Sequence, residues 1–372
     1  MPLQPRITHV LDNFDIGGAQ RMLIRFLENS SSEESSVIAM SRRNTAWEAD
    51  VAASSIPLQI LKSSRLLSPK TWAMARSALR ASASPIVHVH MQYSGIVFLP
   101  LAKLSGRKTV VTLHNVSDTV DNWRQRLRFR LHRCVIRNFA DKVISVGPLV
   151  TQAWSKFLPR HDILTIENTV PLPDAAPGEK RRDIRETLAT SETAVVVITV
   201  ASLLPKKDLP TLISAFHELA QTQSDVELWI VGTGPLKESL QSQIDDLGLA
   251  AKVKLLGART DVQDLLFAAD IFALSSRIEG LPISMLEAMA TRLPVVVPDV
   301  GDIRTVVGEE CGIVVPAGDA SALTAGLAHL VQDKAERHKL GLSGRNKVEQ
   351  DHSEERWMKQ MRACYKELDN AD

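Results

Sequence analysis

Cysteine, net charge and long apolar runs are what this 372-residue sequence has least of. Its three cysteines, Cys134, Cys311 and Cys364, are scattered and odd in number. Neither a disulfide framework nor a zinc ribbon can be built from them, which points to a reducing compartment. Lysines and arginines number 44 against 43 acids, a formal net charge of +1, so any basic function must come from local clustering. That balance, without interleaved exposed aromatics, argues against nucleic acid as a partner. No run approaches the ~20 apolar residues that a membrane-spanning helix needs. The opening stretch "MPLQPRITHVLDNFDIGG" lacks the basic-then-apolar order of a secretory signal. The expectation is a cytoplasmic protein that can at most touch a membrane from outside. No Asp-x-Asp stands at a strand end, and the histidines and cysteines do not cluster, so no metal is expected. The first strand is not followed by a complete G-x-G-x-x-G, which weighs against a hydride-transfer dehydrogenase.

What the sequence does have is a regular alternation of strands and helices. Hydrophobic content of 44% and charged content of 23% are those of a soluble globular protein, and the length suits two domains. Strand candidates start at Ile7, Val37, Ile86, Thr109 and Lys142, and again at Val195, Glu227, Val253, Asp270 and Pro294. Their continuous apolar runs suit strands buried on both faces of a parallel sheet. Helical spacing over Leu209–Gln221 and Leu236–Leu247 places helices between them. "TVPLPDAAPGEKRRD", from Thr169, combines Pro171, Pro173 and Pro177 with a glycine and a charge cluster and reads as a linker. The expected organisation is therefore α/β: a doubly wound domain over 1–170, a linker region over 171–192, and a second doubly wound domain over 193–352. A capped amphipathic helix over 353–372 carries Trp357, Met361 and Tyr365 at four-residue steps.

Ligands of open α/β sheets bind beyond the carboxyl ends of the strands, so the loops there carry the chemistry. "DIFALSSRIEGLPISMLEAMA" ends a strand at Ser275, enters a helix near Pro282, and flanks the entry with Glu279 and Glu287. Free amides at such a helix start could hold a phosphate, and a glutamate matches a vicinal diol. On spacing alone, Glu279 reads equally well as a helix cap and Glu287 as a solvated acid. "FDIGGAQRMLIRFL" sets Gly17 and Gly18 between a strand and a helix, where backbone can approach an anion or simply turn. "TVVTLHNVSD" puts His114 at a strand end, where a structural histidine is the commoner case. His88 and His90 alternate on one strand and so share one face. "DNWRQRLRFRLHRCVIRNFADK" has Arg126, Arg130, Arg133 and Arg137 at helical spacing beside Arg124 and Arg128. Its apolar stripe is Trp123, Leu127, Leu131 and Val135. It reads either as a basic amphipathic helix for anionic lipid, or as an ordinary helix with that stripe in the core.

"SSRIEGLPISMLEAMATRLPVVVPDVGDIRTVV" resembles the most diagnostic segment of retaining, nucleotide-sugar-dependent glycosyltransferases of the GT-B fold, the group that includes glycogen and sucrose synthases and lipid-glycan mannosyltransferases. "VGTGPLKESL", "LLGARTDVQDLLFAADIFALSS", "IENTVPLP" and "CGIVVPAGDASALTAGL" extend the resemblance over nearly the whole chain. It implies two Rossmann-like domains with an interdomain cleft, the first completed by the helix over 353–372, with the acceptor on the first domain and the donor on the second. Glu279 would then bind donor-sugar hydroxyls, Glu287 the ribose diol, and the amides of Gly280, Leu281, Pro282 and Ile283 would face the diphosphate (Pro282 by position only, having no N–H). Gly17 and Gly18 match a "GGAE" loop that closes on the donor phosphates, with Gln20 where glutamate is usual. His114 matches a histidine that contacts the transferred sugar.

"VASLLPKKDLPTLISAF" departs from the family's "VGRLxxxKGxxxLLxAF". Lys207 matches the lysine that neutralises the leaving diphosphate, but Ser202 stands at the arginine position, Ala201 at the first glycine and Asp208 at the second. A leaving diphosphate needs positive charge where its own charge builds up. Lys206, Arg259 and Arg277 are the cations that could compensate, and Arg259 is counted with the donor set. The resemblance implies transfer from a UDP- or GDP-sugar to a glycan or lipid-linked acceptor of cell-surface polysaccharide, with retention and without a metal or other cofactor. A nucleotide-sugar epimerase and a non-catalytic nucleotide-sugar-binding subunit, for which Ser202 argues, are the alternatives.

Overall fold

In the computed structural model the chain divides into two compact units, one comprising Met1–Asn168 with Glu355–Asp372 and the other Thr169–Glu354. The structure describes residues 5–14, 17–41, 51, 55–63, 66, 68–115, 123–174 and 178–370.

The first unit is a parallel sheet with helices on its faces. Its strands are β1 (Ile7–Leu11), β2 (Ser35–Ala39), β3 (Leu58–Ile60), β4 (Ile86–Val89), β5 (Lys108–Leu113), β6 (Lys142–Ser145) and β7 (Ile163–Thr165). They lie in the order β3-β2-β1-β4-β5-β6-β7, so the winding reverses between β1 and β4. The helices are α1 (Gly18–Glu28), α2 (Pro69–Ser82), α3 (Gln92–Leu104), α4 (Trp123–Phe139) and α5 (Pro148–Ser155). Every residue of β1, β2 and β4 is buried, as a strand covered on both faces requires. The register sets His9 of β1 beside His88 of β4, and His88 beside Val110 of β5.

The second unit repeats the plan. It contains α6 (Gly178–Thr187), β8 (Val195–Val200), α7 (Leu209–Thr222), β9 (Val226–Val231), α8 (Lys237–Asp246), β10 (Val253–Gly257), α9 (Val262–Ala268) and β11 (Ile271–Ala273). These are followed by α10 (Ile283–Ala290), β12 (Val295–Pro298), α11 (Ile303–Val307), β13 (Gly312–Val315), α12 (Ala320–Gln332) and α13 (Lys334–Asp351). The strand order β10-β9-β8-β11-β12-β13 reverses between β8 and β11. Its core gathers Val197, Leu212, Phe216, Leu228, Ile230 and Ile271 around the sheet. The last helix, α14 (Glu354–Asp369), buries Trp357, Met361 and Tyr365; Phe26 of α1 meets Trp357 at 6.1 Å and Tyr365 at 5.7 Å between ring centroids.

Two expectations change. The stretch read as linker holds α6, which is tied into the second unit by Arg181 and the fully buried Arg185. Each donates to Asp270 at 2.7 Å, and both also bond backbone carbonyls around Ala268. A proline-and-charge signature marks a chain entry here, while arginine stems and forked donors turn the following turn into packed structure. Strands β3, β7 and β13 have no counterpart among the expected ones; two of them have only three residues, too few for a periodicity to register.

Candidate functional site

Both winding reversals place loops side by side beyond the carboxyl ends of adjacent strands, where ligands of such sheets lie. In the second unit these are the loops after β8 and β11. The chain leaving β8 forms a single 3-10 turn, Pro205–Lys207, and the chain leaving β11 runs past Ser275 to Pro282, the N-cap of α10. Lys207 Nζ meets Glu279 Oε1 at 2.5 Å, with the two side chains only 17% and 8% exposed. Ser275 Oγ donates to the Lys207 carbonyl at 3.0 Å, and the Arg277 amide donates to the Lys206 carbonyl at 2.9 Å, so the two loops are fastened to each other. Two candidates 72 positions apart in sequence thus form one ion pair beside a helix start. Gly280, Leu281, Pro282 and Ile283 are buried along that start, and Glu287 lies half-buried within α10.

Asp208 explains one departure from the family pattern. It sits at φ 48°, ψ 41°, the left-handed region that glycine enters freely and other residues enter at a cost of about 1–2 kcal/mol. Its carboxylate takes Arg277 Nε at 2.8 Å and Thr211 Oγ1 at 2.9 Å, contacts that offset part of the strain. Arg277 is therefore committed to Asp208, and Arg259 to Asp261 through bonds of 2.7 and 2.5 Å. Arg259 also follows β10, an edge strand two places from β8, which leads into the loop of Lys207. Among the expected compensating cations, these two have their charges already paired.

Gly301 had no place in the sequence reading. It sits at φ 56°, and a Cβ there would fall 2.4 Å from the Gly280 carbonyl and 2.6 Å from that of Glu279. The Asp302 amide donates to the same Gly280 carbonyl at 3.0 Å. The loop after β12 is thus the floor under Glu279, and "PDVGD" is its only trace in the sequence.

In the first unit the switch-point loops follow β1 and β4. Asp12 caps α3, accepting the Tyr93 amide at 3.1 Å and the Ser94 amide at 2.6 Å. Burial pushes its carboxyl up, against those same bonds and Arg128. Gly17 is the N-cap of α1 in extended backbone, and Gly18 is the helix's first residue. A Cβ at Gly17 would lie 2.6 Å from Gln20 Oε1 and would have to displace that side-chain end. Gln20 is buried and reaches back to the Asn13 carbonyl and side chain at 3.3 Å, so the glutamine found in place of the usual glutamate donates to the loop it closes.

His114 follows β5 and is half-buried, its Nε2 enclosed without a hydrogen-bond partner. Burial holds it down to about 4, so the ring is neutral at neutral pH. His9, His88 and His90 do converge with it, which corrects the expectation that the histidines stay apart. Ring centroids lie 4.0 Å apart for His88–His90, 5.4 Å for His9–His90 and 6.5 Å for His90–His114. The cause is register: β1 and β4 are neighbours, and alternation puts His9, His88 and His90 on one face. Burial lowers His9 to about 3, and burial together with the neighbouring histidines lowers His88 and His90 well below the ordinary range.

Helix α4 keeps most of the expected apolar stripe out of the core, Val135 excepted. Trp123, Leu127 and Leu131 are 68%, 59% and 43% exposed, whereas Phe129, His132, Val135 and Ile136 form the buried side. Arg124, Arg126, Arg130 and Arg137 are exposed around that apolar stripe. Arg133 stacks on Phe129 and on Phe157, itself 41% exposed, which extends the patch to the segment after α5. No helix among the described residues is long and apolar enough to cross a membrane.

Residues 180–347 match the family model described as Glycosyl transferases group 1, and residues 16–172 match that of Glycosyltransferase Family 4. The chain is 31% identical to the GDP-mannose-dependent alpha-(1-6)-phosphatidylinositol monomannoside mannosyltransferase of Mycolicibacterium smegmatis, over 66% of this chain and 67% of that one. It is 26% identical to the UDP-Gal:alpha-D-GlcNAc-diphosphoundecaprenol alpha-1,3-galactosyltransferase of Escherichia coli, over 88% of each. With some other curated glycosyltransferases the match spans about half of their length. The fold is similar to that of Anabaena Alr3699/HepE, solved in complex with UDP and glucose, at a TM-score of 0.86 and 20% identity over 96% of this chain and 98% of that one. The two parallel-sheet units are those of the GT-B glycosyltransferases.

Proposed function

Because the chain belongs to the group 1 glycosyltransferases, we propose that it moves a sugar from a UDP- or GDP-sugar to a glycan or lipid-linked acceptor of cell-surface polysaccharide, with retention of configuration. The observation that carries this is the Lys207–Glu279 pair at the switch point of the second unit, beside the start of α10. Such a pair suits a donor well. Glu279 accepts from sugar hydroxyls, Lys207 meets charge that grows on the departing diphosphate, and the amides at Gly280, Leu281 and Ile283 add fixed donors. Glu287 takes the ribose diol. His114 contacts the transferred sugar as a neutral ring, and the loop at Gly17 and Gly18 meets the phosphates. The chemistry is one of positioning and charge, and we assign it no bound metal. The Mycolicibacterium relative is named for GDP-mannose and the Escherichia coli relative for UDP-Gal, which supports keeping both bases in the donor class. A thermal-shift series with UDP-, GDP- and ADP-sugars, followed by transfer assays on polyprenyl-diphosphate-linked glycans, tests the assignment. Binding and transfer that persist unchanged in Glu287→Ala would remove Glu287 from it.

We further propose that the chain works at a membrane surface, on the cytoplasmic side. The exposed stripe Trp123, Leu127 and Leu131, ringed by arginines, matches an anionic lipid surface, where each cation contributes about 1 kcal/mol. Flotation with vesicles containing phosphatidylglycerol at low salt is expected to recover the wild-type protein. A variant with Leu127→Ser, Arg126→Ser and Arg130→Ser is expected to stay behind. A wild-type protein that ignores such vesicles refutes the assignment.

A further inference from the structure

We propose that His9, His88 and His90 form a site for one borderline-soft divalent cation, zinc foremost, in the core of the first unit. Each offers a ring nitrogen, and the three atoms lie within 4.8 Å of one another. His9 Nδ1 and His90 Nε2 are already 3.1 Å apart, close to the spacing of about 3.3 Å that two zinc-bound nitrogens take in a tetrahedron. His88 has the support that a ligand imidazole needs on its far side: Nδ1 meets the Tyr365 hydroxyl and Nε2 the Thr112 hydroxyl, each at 2.7 Å. Exchanging Thr112 for the ion leaves Tyr365 as that support. A cavity of about 20 Å³ adjoins the cluster, lined by His9, His90, Thr112, His114 and Tyr365 among others. That is room for about one water, the usual fourth ligand of a three-histidine site.

The three ligand atoms already hold polar partners, His9 Nδ1 with His90 Nε2 and His88 Nε2 with Thr112, so the ion replaces those bonds; Nε2 of His9, across the ring from the ligand atom, and Nε2 of His114 stay outside the donor set. The donor set is nitrogen only, which selects zinc, nickel, cobalt or copper over magnesium and calcium. Because His9 lies on β1, His88 on β4 and Tyr365 on α14, the bound ion would join the two central strands and the last helix of this unit. The ion takes no step in transfer; His114, which lines the same cavity, is not among its ligands.

The test uses the full chain, stripped of metal with a chelator and titrated with Co²⁺ and Zn²⁺. One equivalent of Co²⁺ is expected to develop the visible absorption of a tetrahedral, nitrogen-ligated ion and to be displaced by Zn²⁺, while Mg²⁺ has no effect. The first unit's melting transition is expected to rise with Zn²⁺. His90→Gln and His9→Phe, checked for folding by circular dichroism, should weaken Zn²⁺ binding at least thirtyfold. His338→Gln, an exposed histidine of the second unit, should not. Absence of the tetrahedral Co²⁺ spectrum in the wild-type protein overturns the proposal, whatever the variants do. So do Zn²⁺ binding equal in all variants, and a zinc-soaked crystal with only water in the cavity.

Discussion

Replacing Lys207 with methionine separates the structural from the chemical meaning of the Lys207–Glu279 pair. Removing one partner of a fully buried ion pair costs about 3–5 kcal/mol, because the other charge stays desolvated. Lys207 is 17% exposed and its stem can turn an unpaired ammonium toward water, whereas Glu279 is short and 8% exposed. Lys207→Met, which strands Glu279, should therefore cost about 2–3 kcal/mol, and Glu279→Gln, which strands the lysine, only about 1–2 kcal/mol. The second unit, Thr169–Glu354, is of a size at which 1 kcal/mol moves the melting point by roughly 2–4 °C. Calorimetry should thus show its transition falling by about 4–12 °C in Lys207→Met. The double variant should lose less than the sum of the single ones, with a coupling of about 1–2 kcal/mol. Transfer should behave differently. Loss of a preorganised group facing developing charge lowers kcat by about 10²–10³, and repacking the pair as neutral residues cannot return it. A double variant that recovers stability but not turnover is the expected result. Recovery of turnover in the double variant, or a Lys207→Met enzyme that keeps most of its kcat, would refute the reasoning.

Acid should unfold the first unit before the second. His9, His88, His90, His114 and His132 all lie in the first unit with burial as the leading cause of a lowered pKa, to about 3 for His9 and about 4 for His114 and His132. Between those values and the unfolded value near 6.5 the unfolded chain binds more protons, so stability is fully present above about pH 6.5 and falls as pH drops below it. Each such histidine forfeits about 1.4 kcal/mol by pH 5.5, and tryptophan fluorescence together with calorimetry between pH 7 and 4.5 reads the order of the two transitions. Gly301→Ala should cost more than 2 kcal/mol and abolish transfer, since a Cβ at φ 56° would collide with the carbonyls of Glu279 and Gly280; a stable, active Gly301→Ala enzyme contradicts that account. Asp270→Asn should destabilise the second unit by about 3 kcal/mol by leaving the fully buried Arg185 without its counter-charge, read as the urea midpoint of that unit.

Much of the architecture was legible because parallel sheets announce themselves. Runs such as "VVVITV" and "ELWIVG" are apolar on both faces, β-branched and short, as strands covered by helices on both sides are. What periodicity cannot do is say which of two apolar faces is inside. On α4 the stripe Trp123, Leu127, Leu131 and the set Phe129, His132, Ile136 have similar helical spacing. Only the packing of α3 and α5 against the second set leaves the first in solvent, so the choice between core and surface waited for tertiary structure. The same limit hid Gly301, whose requirement comes from a loop some twenty residues away in the chain.

The pairs that make the sites were hidden for a different reason, and it is the same reason in both units. Lys207 and Glu279 are 72 positions apart, and His9 and His90 are 81 apart. No local rule joins residues at such distances. They meet because each sheet reverses its winding between two particular strands, β8 and β11 in one case and β1 and β4 in the other. Strand order is not written in any single run; it follows from right-handed crossovers acting on all of them together. Once that order is known, the loops beyond the reversal become neighbours, and the charged residues on them are forced to pair or to face a ligand. In the second unit that geometry brings a lysine and a glutamate together, the kind of arrangement that a bound diphosphate and sugar can take over from each other. In the first it brings His9, His88 and His90 together, and their facing ring nitrogens can keep their bonds to one another and to Thr112 or give them up to a cation.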